Sequence, residues 1–272
     1  MPELPEVETI ARGLARRVSG DVIESVWLGS KPEPLKSSAA DMEAALAATR
    51  ILNVRRSGKH IVFDLGQPGT SGDRASAQWI VHLGMTGQLL VCSPASEVAK
   101  HTHAVLRLAS GRELRFVDPR RFGRLAIREN FTAPGLEPLT ISAADFATLF
   151  RGRKTPIKSA LLNQKLLSGV GNIYADEALH RAGVRPRRRA ATLTSEQLRR
   201  LHKGLKQVLR EAIRLGGSSI SDYVDADGEE GLFQIKHRVY GRTGRPCGKC
   251  GSTIQRVVIA GRSSHYCPKC QK

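Results

Sequence analysis

Four cysteines near the end of the chain constrain its folding more than any other feature. Cys247-Gly-Lys-Cys250 and Cys267-Pro-Lys-Cys270 are two C-x-x-C pairs with 16 residues between them. Each pair suits a tight turn, so its two sulfurs can converge on one ion. The spacing fits one structural zinc held by four thiolates in a tetrahedron. Segment 236–272 is too short to bury a core of its own, and the metal would supply its folding energy. Redox pairs or disulfides are the alternative, disfavoured in a cytosolic chain with no thioredoxin-like context. The fifth cysteine, Cys92, lies inside an expected strand and reads as a small core residue.

The hydrophobic pattern divides the rest. Val7, Ile10, Ala11, Leu14 and Val18 lie on one helical face, with Pro5 in the first turn and Gly20 at the stop. Residues 21 to 128 then read as short strands: Val22–Trp27, Arg50–Arg55, His60–Leu65, Trp79–Leu83, Gln88–Cys92, His103–Leu108, Glu113–Val117 and Leu125–Ile127. Asp41–Thr49 is expected to be a helix and Gln67–Ala77 a Gly/Ser-rich loop. This run of strands implies an antiparallel β-sandwich with flanking helices. From Ser142 the period becomes helical, with one helix near Pro156–Leu167 and a second over Ile173–Ala182, N-capped by Asn172. A third opens on the Thr194/Gln197 capping box and runs to Leu215.

Charge is distributed unevenly. The chain holds 43 Lys+Arg against 25 Asp+Glu, a net of +18 over 272 residues. Residues 1–150 carry 18 basic and 16 acidic side chains, and residues 151–215 carry 16 and 4. Residues 216–235 carry no basic and 5 acidic side chains, while 236–272 carry 9 basic and none acidic. An excess concentrated in the second half favours a polyanionic partner for that half, with nucleic acid the first candidate. A hydrophobic content of 40% excludes a disordered chain. No run approaches the ~18 apolar residues of a membrane span, and residues 1–20 lack the apolar centre of a signal peptide.

The opening Met1-Pro2-Glu3-Leu4-Pro5-Glu6 carries chemistry. Removal of Met1 would leave Pro2 as a free secondary amine beside Glu3. An α-amino group with a pKa of about 7.7–8.0 is partly unprotonated near neutrality. Such an amine attacking a sugar C1′ forms a cationic iminium, an electron sink, and a neighbouring carboxyl can shuttle protons.

This opening closely resembles the N-terminal signature of the formamidopyrimidine-DNA glycosylases, bacterial DNA glycosylase/AP lyases. The resemblance runs the length of the chain through Arg55-Arg56-Ser57-Gly58-Lys59, His82-Leu83-Gly84-Met85-Thr86-Gly87, Lys100-His101-Thr102-His103 and Asp118-Pro119-Arg120-Arg121-Phe122-Gly123. It continues through Lys165–Tyr174 and Val239-Tyr240-Gly241-Arg242 to the cysteine quartet. It implies an α+β multidomain fold: a catalytic β-sandwich over 1–133, a helical domain with a helix–two-turn–helix element over 134–235, and a β-hairpin zinc finger over 236–272. A lesion-capping loop is expected at about 217–232, and duplex DNA in a cleft between the halves.

The resemblance also assigns residues. Pro2 is the nucleophile, Glu3 the proton donor, Lys59 the proton donor in β-elimination and Arg262 the arginine associated with δ-elimination. Glu6 matches a second acidic position near the site. Met85, Arg120 and Phe122 match the triad that fills the gap left by a flipped nucleotide. His101, Arg120, Arg153 and Asn172 correspond to DNA contacts, and Lys158 adds a further backbone contact. The implied activity is excision of oxidised purines such as 8-oxoguanine and formamidopyrimidines from duplex DNA, followed by strand cleavage through β,δ-elimination. One structural Zn2+ is the only cofactor implied. The protein is expected to be a monomer in the bacterial cytoplasm, associated with the nucleoid. The alternatives are an endonuclease VIII-like glycosylase for oxidised pyrimidines, an inactive zinc-finger binder of damaged DNA and, more weakly, a basic RNA-binding module. Leu4, where the endonuclease VIII branch usually has glycine, favours the purine reading.

Overall fold

The computed structural model describes residues 1–67, 75–220 and 223–272. These form two compact units, one of residues 1–133 with 216–231, the other of 134–215 with 232–272. The expected loop Gln67–Ala77 lies mostly outside the described residues, at 68–74. No helix among the described residues is long and apolar enough to cross a membrane.

The first unit opens with α1 (Leu4–Val18), which buries Leu4, Val7, Ile10, Leu14 and Val18. Its start is a capping box between Glu3 and Glu6, the acidic ends meeting the unpaired amides of the first turn. Helix α2 (Ala39–Leu46) begins before the expected Asp41 because the Ser38 hydroxyl accepts the Asp41 amide.

All eight expected strands form: β1 (Ile23–Leu28), β2 (Arg50–Ser57), β3 (His60–Gly66), β4 (Ala77–His82), β5 (Gln88–Cys92), β6 (Thr102–Leu108), β7 (Glu113–Val117) and β8 (Arg124–Arg128). They make two four-stranded antiparallel sheets, ordered β1-β6-β7-β5 and β2-β3-β4-β8. Both sheets feed one core with α1. Ile51, Phe63, Trp79 and Val81 come from the second sheet, and Leu89, Leu106, Leu114 and Phe116 from the first. Phe63 and Trp79 pair with ring centroids 4.9 Å apart. Burying side chains of this size stabilises by roughly 1.5–3 kcal/mol each.

In the second unit Ser142 caps α3 (Ala143–Phe150). Helix α4 (Ile157–Leu162) stops well short of the expected Leu167. Beyond it, Asn163 Oδ1 accepts the Lys165 amide. Gln164 donates to the Leu162 and Val170 carbonyls and accepts from Gly169 N–H, so the side-chain amides replace helical partners. Helix α5 (Asn172–Ala182) follows and ends on Gly183 in the left-handed region at φ 70°. Its N-cap is Gly171, so Asn172 is the first helical residue and makes no capping bond, contrary to the sequence expectation. Helix α6 (Ser195–Arg214) opens on the Thr194/Gln197 capping box as expected. A hairpin of β9 (Gln255–Ile259) and β10 (Arg262–Tyr266) turns at Ala260 and Gly261, both at positive φ.

The two units group the expected segments differently: segment 236–272 falls with the helices in the second unit. Segment 216–231, expected with the helices, belongs to the first unit. Ser218 N–H donates to Glu6 Oε1 at 2.8 Å, the Ala226 carbonyl accepts from Val91 N–H, and the Ala226 methyl joins the core.

Candidate functional site

Met1 is 47% exposed, whereas Pro2 and Glu3 directly behind it are buried. Glu6 organises this end of the first unit. Its Oε2 accepts Glu3 N–H at 2.8 Å and its Oε1 accepts Ser218 N–H at 2.8 Å. Gly217, at φ 84°, lies so close that a Cβ there would come within 2.8 Å of Glu6 Oε1. The Tyr223 hydroxyl donates to the Gly216 carbonyl at 2.9 Å. Burial, the Glu6 carboxylate and Asp225 raise that phenol far above its ordinary range, so it stays a neutral donor. Thus Pro2, Glu3, Glu6 and the turn of segment 216–219 occupy one place.

Lys59 sits in the two-residue turn Gly58-Lys59 between β2 and β3, with Gly58 at φ 60°. The turn is fastened to α1 by Arg56. The guanidinium donates to Glu8 Oε2 at 2.7 Å and to the Gly58 carbonyl at 3.2 Å, with only 6% of the Arg56 side chain exposed. The sequence motif contains Arg56 but assigns it no role, and its partner Glu8, 48 residues away, is shown only by the fold.

Met85 and Phe122 are exposed at 42% and 52%, on two loops that touch. A Cβ on Gly84 would meet the Phe122 carbonyl carbon at 2.5 Å, so only glycine permits this approach. Asp118, fully buried, joins the loops. Its Oδ1 accepts the Thr86 hydroxyl and Arg120 N–H, and its Oδ2 accepts Gly123 N–H at 2.7 Å. The Arg120 guanidinium lies 4.9 Å from the Phe122 ring centre, a cation–π pairing. The three gap-filling candidates are therefore brought together by a residue to which the sequence pattern gave no role. His101 is exposed on the neighbouring loop, where its carbonyl accepts Asp118 N–H at 2.9 Å.

Below this region the cross-strand pair His60 and His82 packs with ring centroids 4.9 Å apart. Burial, His60, Arg124 and Lys59 hold His82 down to about 4, and its Nδ1 accepts Gly84 N–H, which requires the neutral ring.

In the second unit, Arg262 is exposed at the start of β10. Asn172 lies against the neighbouring residue, its Nδ2 facing Ser263 Oγ at 3.4 Å while its buried Oδ1 has no hydrogen-bond partner among the described residues. Arg153 is exposed, with its Nε donating to the Leu149 carbonyl.

Lys158 corrects the sequence reading. Expected as a further DNA backbone contact, it is fully buried, its Nζ 2.7 Å from Asp176 Oδ1 and donating to the Ser263 carbonyl. Asp176 Oδ2 accepts from both His265 N–H and its ring. A charge in a dry interior must be paired, and this pair ties α4 and α5 to the strand that carries Arg262. Glu177 makes a second tie, accepting the amides of Arg238, Val239 and Tyr240.

The ligand atoms of Cys247, Cys250, Cys267 and Cys270 lie within 4.8 Å of one another, a separation that suits Zn–S bonds of about 2.3 Å. Without a cation, burial and the other sulfurs push the Cys270 thiol up while hydrogen bonds from Ser252 lower Cys250, so it is a bound metal that makes all four sulfurs thiolates. Four thiolates this close need a cation between them, and the site is that of one structural zinc, with every ligand position filled by protein.

The chain matches the formamidopyrimidine-DNA glycosylase N-terminal domain over residues 1–125, the H2TH domain of the same family over 134–224, and the zinc finger found in FPG and IleRS over 244–272. It is 47% identical to the formamidopyrimidine-DNA glycosylase of Solibacter usitatus, over 100% of both chains. Its structure is similar to the MutM (Fpg) protein of Thermus thermophilus, at 42% identity and TM-score 0.86 over 99% of this chain and 98% of that one. It is also similar to a Lactococcus lactis FPG in complex with Fapy-dG containing DNA, at 32% identity and TM-score 0.89 over 100% of both. The chain belongs to the formamidopyrimidine-DNA glycosylase family.

Proposed function

We propose that the protein excises oxidised purines from duplex DNA and then cuts the strand at the abasic sugar. The observation that carries this reading is the buried Pro2–Glu3 pair at the start of α1, behind an exposed Met1 and beside the Glu6 carboxylate.

With Met1 removed, the Pro2 nitrogen lone pair attacks C1′ of the damaged nucleotide and the C1′–base bond breaks. Glu3 supplies the proton that accompanies base loss and opening of the sugar ring. The resulting iminium acidifies the C2′ hydrogens; transfer of one to water forms the C2′–C3′ double bond as the C3′–O bond to the 3′ phosphate breaks, with Lys59 supplying the proton to the departing phosphate. A second elimination, promoted by Arg262, releases the 5′ phosphate. Hydrolysis of the iminium frees Pro2. Met85, Arg120 and Phe122 occupy the space of the extruded nucleotide. The zinc holds the finger hairpin and takes no part in the bond changes. His101, Arg120, Arg153 and Asn172 contact DNA, and the protein acts as a monomer in the bacterial cytoplasm.

Borohydride trapping tests the nucleophile. A covalent adduct with an 8-oxoguanine:C duplex is expected for the processed chain and far less for Pro2→Gly. Equal trapping by Pro2→Gly, or an intact mass retaining Met1 in the active protein, overturns the mechanism. Faster cleavage of thymine glycol than of 8-oxoguanine overturns the substrate class.

A further inference from the structure

The outer edge of the first sheet carries a feature that none of these steps uses. Trp27, on edge strand β1, is 52% exposed, an unusual cost for so large an apolar side chain. It borders a half-open cleft of about 480 Å3 lined by Gly29, Lys31, Lys100, His101, Pro119 and Arg121, among others. Lys31, Lys100 and Arg121 are exposed cations; Arg121 also meets Glu33 at 2.7 Å. On the other side of the indole, the exposed Val98 and half-buried Val105 line a second, more apolar hollow. An exposed indole beside a groove of cations is the pairing that recognises an unpaired base attached to phosphates: the ring stacks the base and the cations track the backbone. A duplex base is already stacked on both faces and has none to offer.

We propose that this cleft binds single-stranded DNA, stacking an unpaired base on Trp27 with the adjoining phosphates against Lys31, Lys100 and Arg121. The strand is that of a frayed end, a gap or an overhang beside the lesion duplex. The proposal rests on the reading that the protein holds DNA at the His101 loop, because the cleft continues from that residue.

The chain has two tryptophans, and Trp79 is only 1% exposed, so an external quencher reports on Trp27. The processed protein is first saturated with a duplex carrying a tetrahydrofuran abasic analogue, then titrated with dT12 while indole emission is followed. Emission is expected to fall with dT12, and to recover as salt rises. By anisotropy of labelled dT12 on the same preformed complex, Trp27→Ala is expected to weaken binding about tenfold, while Trp27→Phe retains most of it. Borohydride trapping on an 8-oxoguanine duplex should change less than twofold in both variants. Unchanged emission with dT12, unchanged affinity in Trp27→Ala, or equal quenching by poly-glutamate, which marks an acidic-peptide site instead, overturns the proposal. Failure of the first step, formation of the duplex complex, marks failure of the DNA-repair reading itself.

Discussion

The Thr86 hydroxyl donates to Asp118 Oδ1 at 2.6 Å, and through this bond one buried carboxylate holds both loops of the proposed gap-filling triad. Hydrogen bonds to a charged group are worth about 1.5–3 kcal/mol each. Asp118→Asn keeps the size but removes the charge, and leaves Gly123 N–H facing an amide. The variant is expected to stay folded, with circular dichroism unchanged, and to bind a tetrahydrofuran duplex about tenfold more weakly. Thr86→Val should show the same direction at smaller size. Fluorescence anisotropy with both variants is the check; unchanged affinity in Asp118→Asn refutes the role.

Arg56 and Glu8 make a mostly buried ion pair that fastens the Lys59 turn to α1. Breaking such a pair from one side costs about 3–5 kcal/mol. Arg56→Ala is expected to lower stability by an amount approaching this range and to slow β-elimination. Glu8→Gln should do less, since an amide still accepts the guanidinium. Denaturant unfolding of both single variants and the double variant measures the coupling.

Lys158 separates structural from electrostatic roles. A lysine on a DNA phosphate contributes about 0.9 to the slope of log K against log salt. Because Lys158 is buried against Asp176, Lys158→Met is expected to leave that slope unchanged while lowering the melting temperature. A flattened slope with unaltered melting would restore it to the DNA surface.

Acid should destabilise the first unit within a defined window. His82 has its folded value lowered to about 4 from the ordinary 6.5, and burial lowers His60 as well. For a depressed histidine the unfolded chain binds the proton first. The contribution is therefore complete above about 6.5 and lost as pH falls towards about 4, on the order of 3 kcal/mol for His82, with His60 acting in the same direction. Stability measured from pH 7 to 4 in the His82→Gln variant should fall less steeply than in the parent.

Zinc removal should affect the second unit alone. The finger residues Val239, Cys247, Ile254 and Cys267 form a core too small to persist without the metal. Chelation under mild denaturation is expected to expose segment 236–272 to proteolysis while the sandwich stays resistant. Equal digestion of both units would refute this independence.

The strands were legible because alternation is local: each of the eight was written in its own five to eight residues, and Gln88–Cys92 and Glu113–Val117 form with the expected bounds. Helix α4 was overrun because the competitor that ends it, the Gln164 side chain, bonds to residues on both sides of it in the chain. The motif residues were legible as a set, but burial was not. Lys158 reads as a surface cation until Asp176 and His265, remote in the chain, close over it. Asp118 stood inside a quoted motif, yet its three donors come from two loops, which pattern alone does not bring together.

Glu6 and Ser218 are joined by a hydrogen bond across more than two hundred residues. Synthesis on the ribosome proceeds from the N-terminus, so the helix that presents Pro2 emerges long before the segment that completes its surroundings. The strands can pair early, but the unit that carries the proposed nucleophile is finished only after helices α3 to α6 have been made. A chain interrupted before that point would carry α1 without its closing segment, so the order of synthesis keeps the surroundings of Pro2 and Glu3 incomplete until helices α3 to α6 exist.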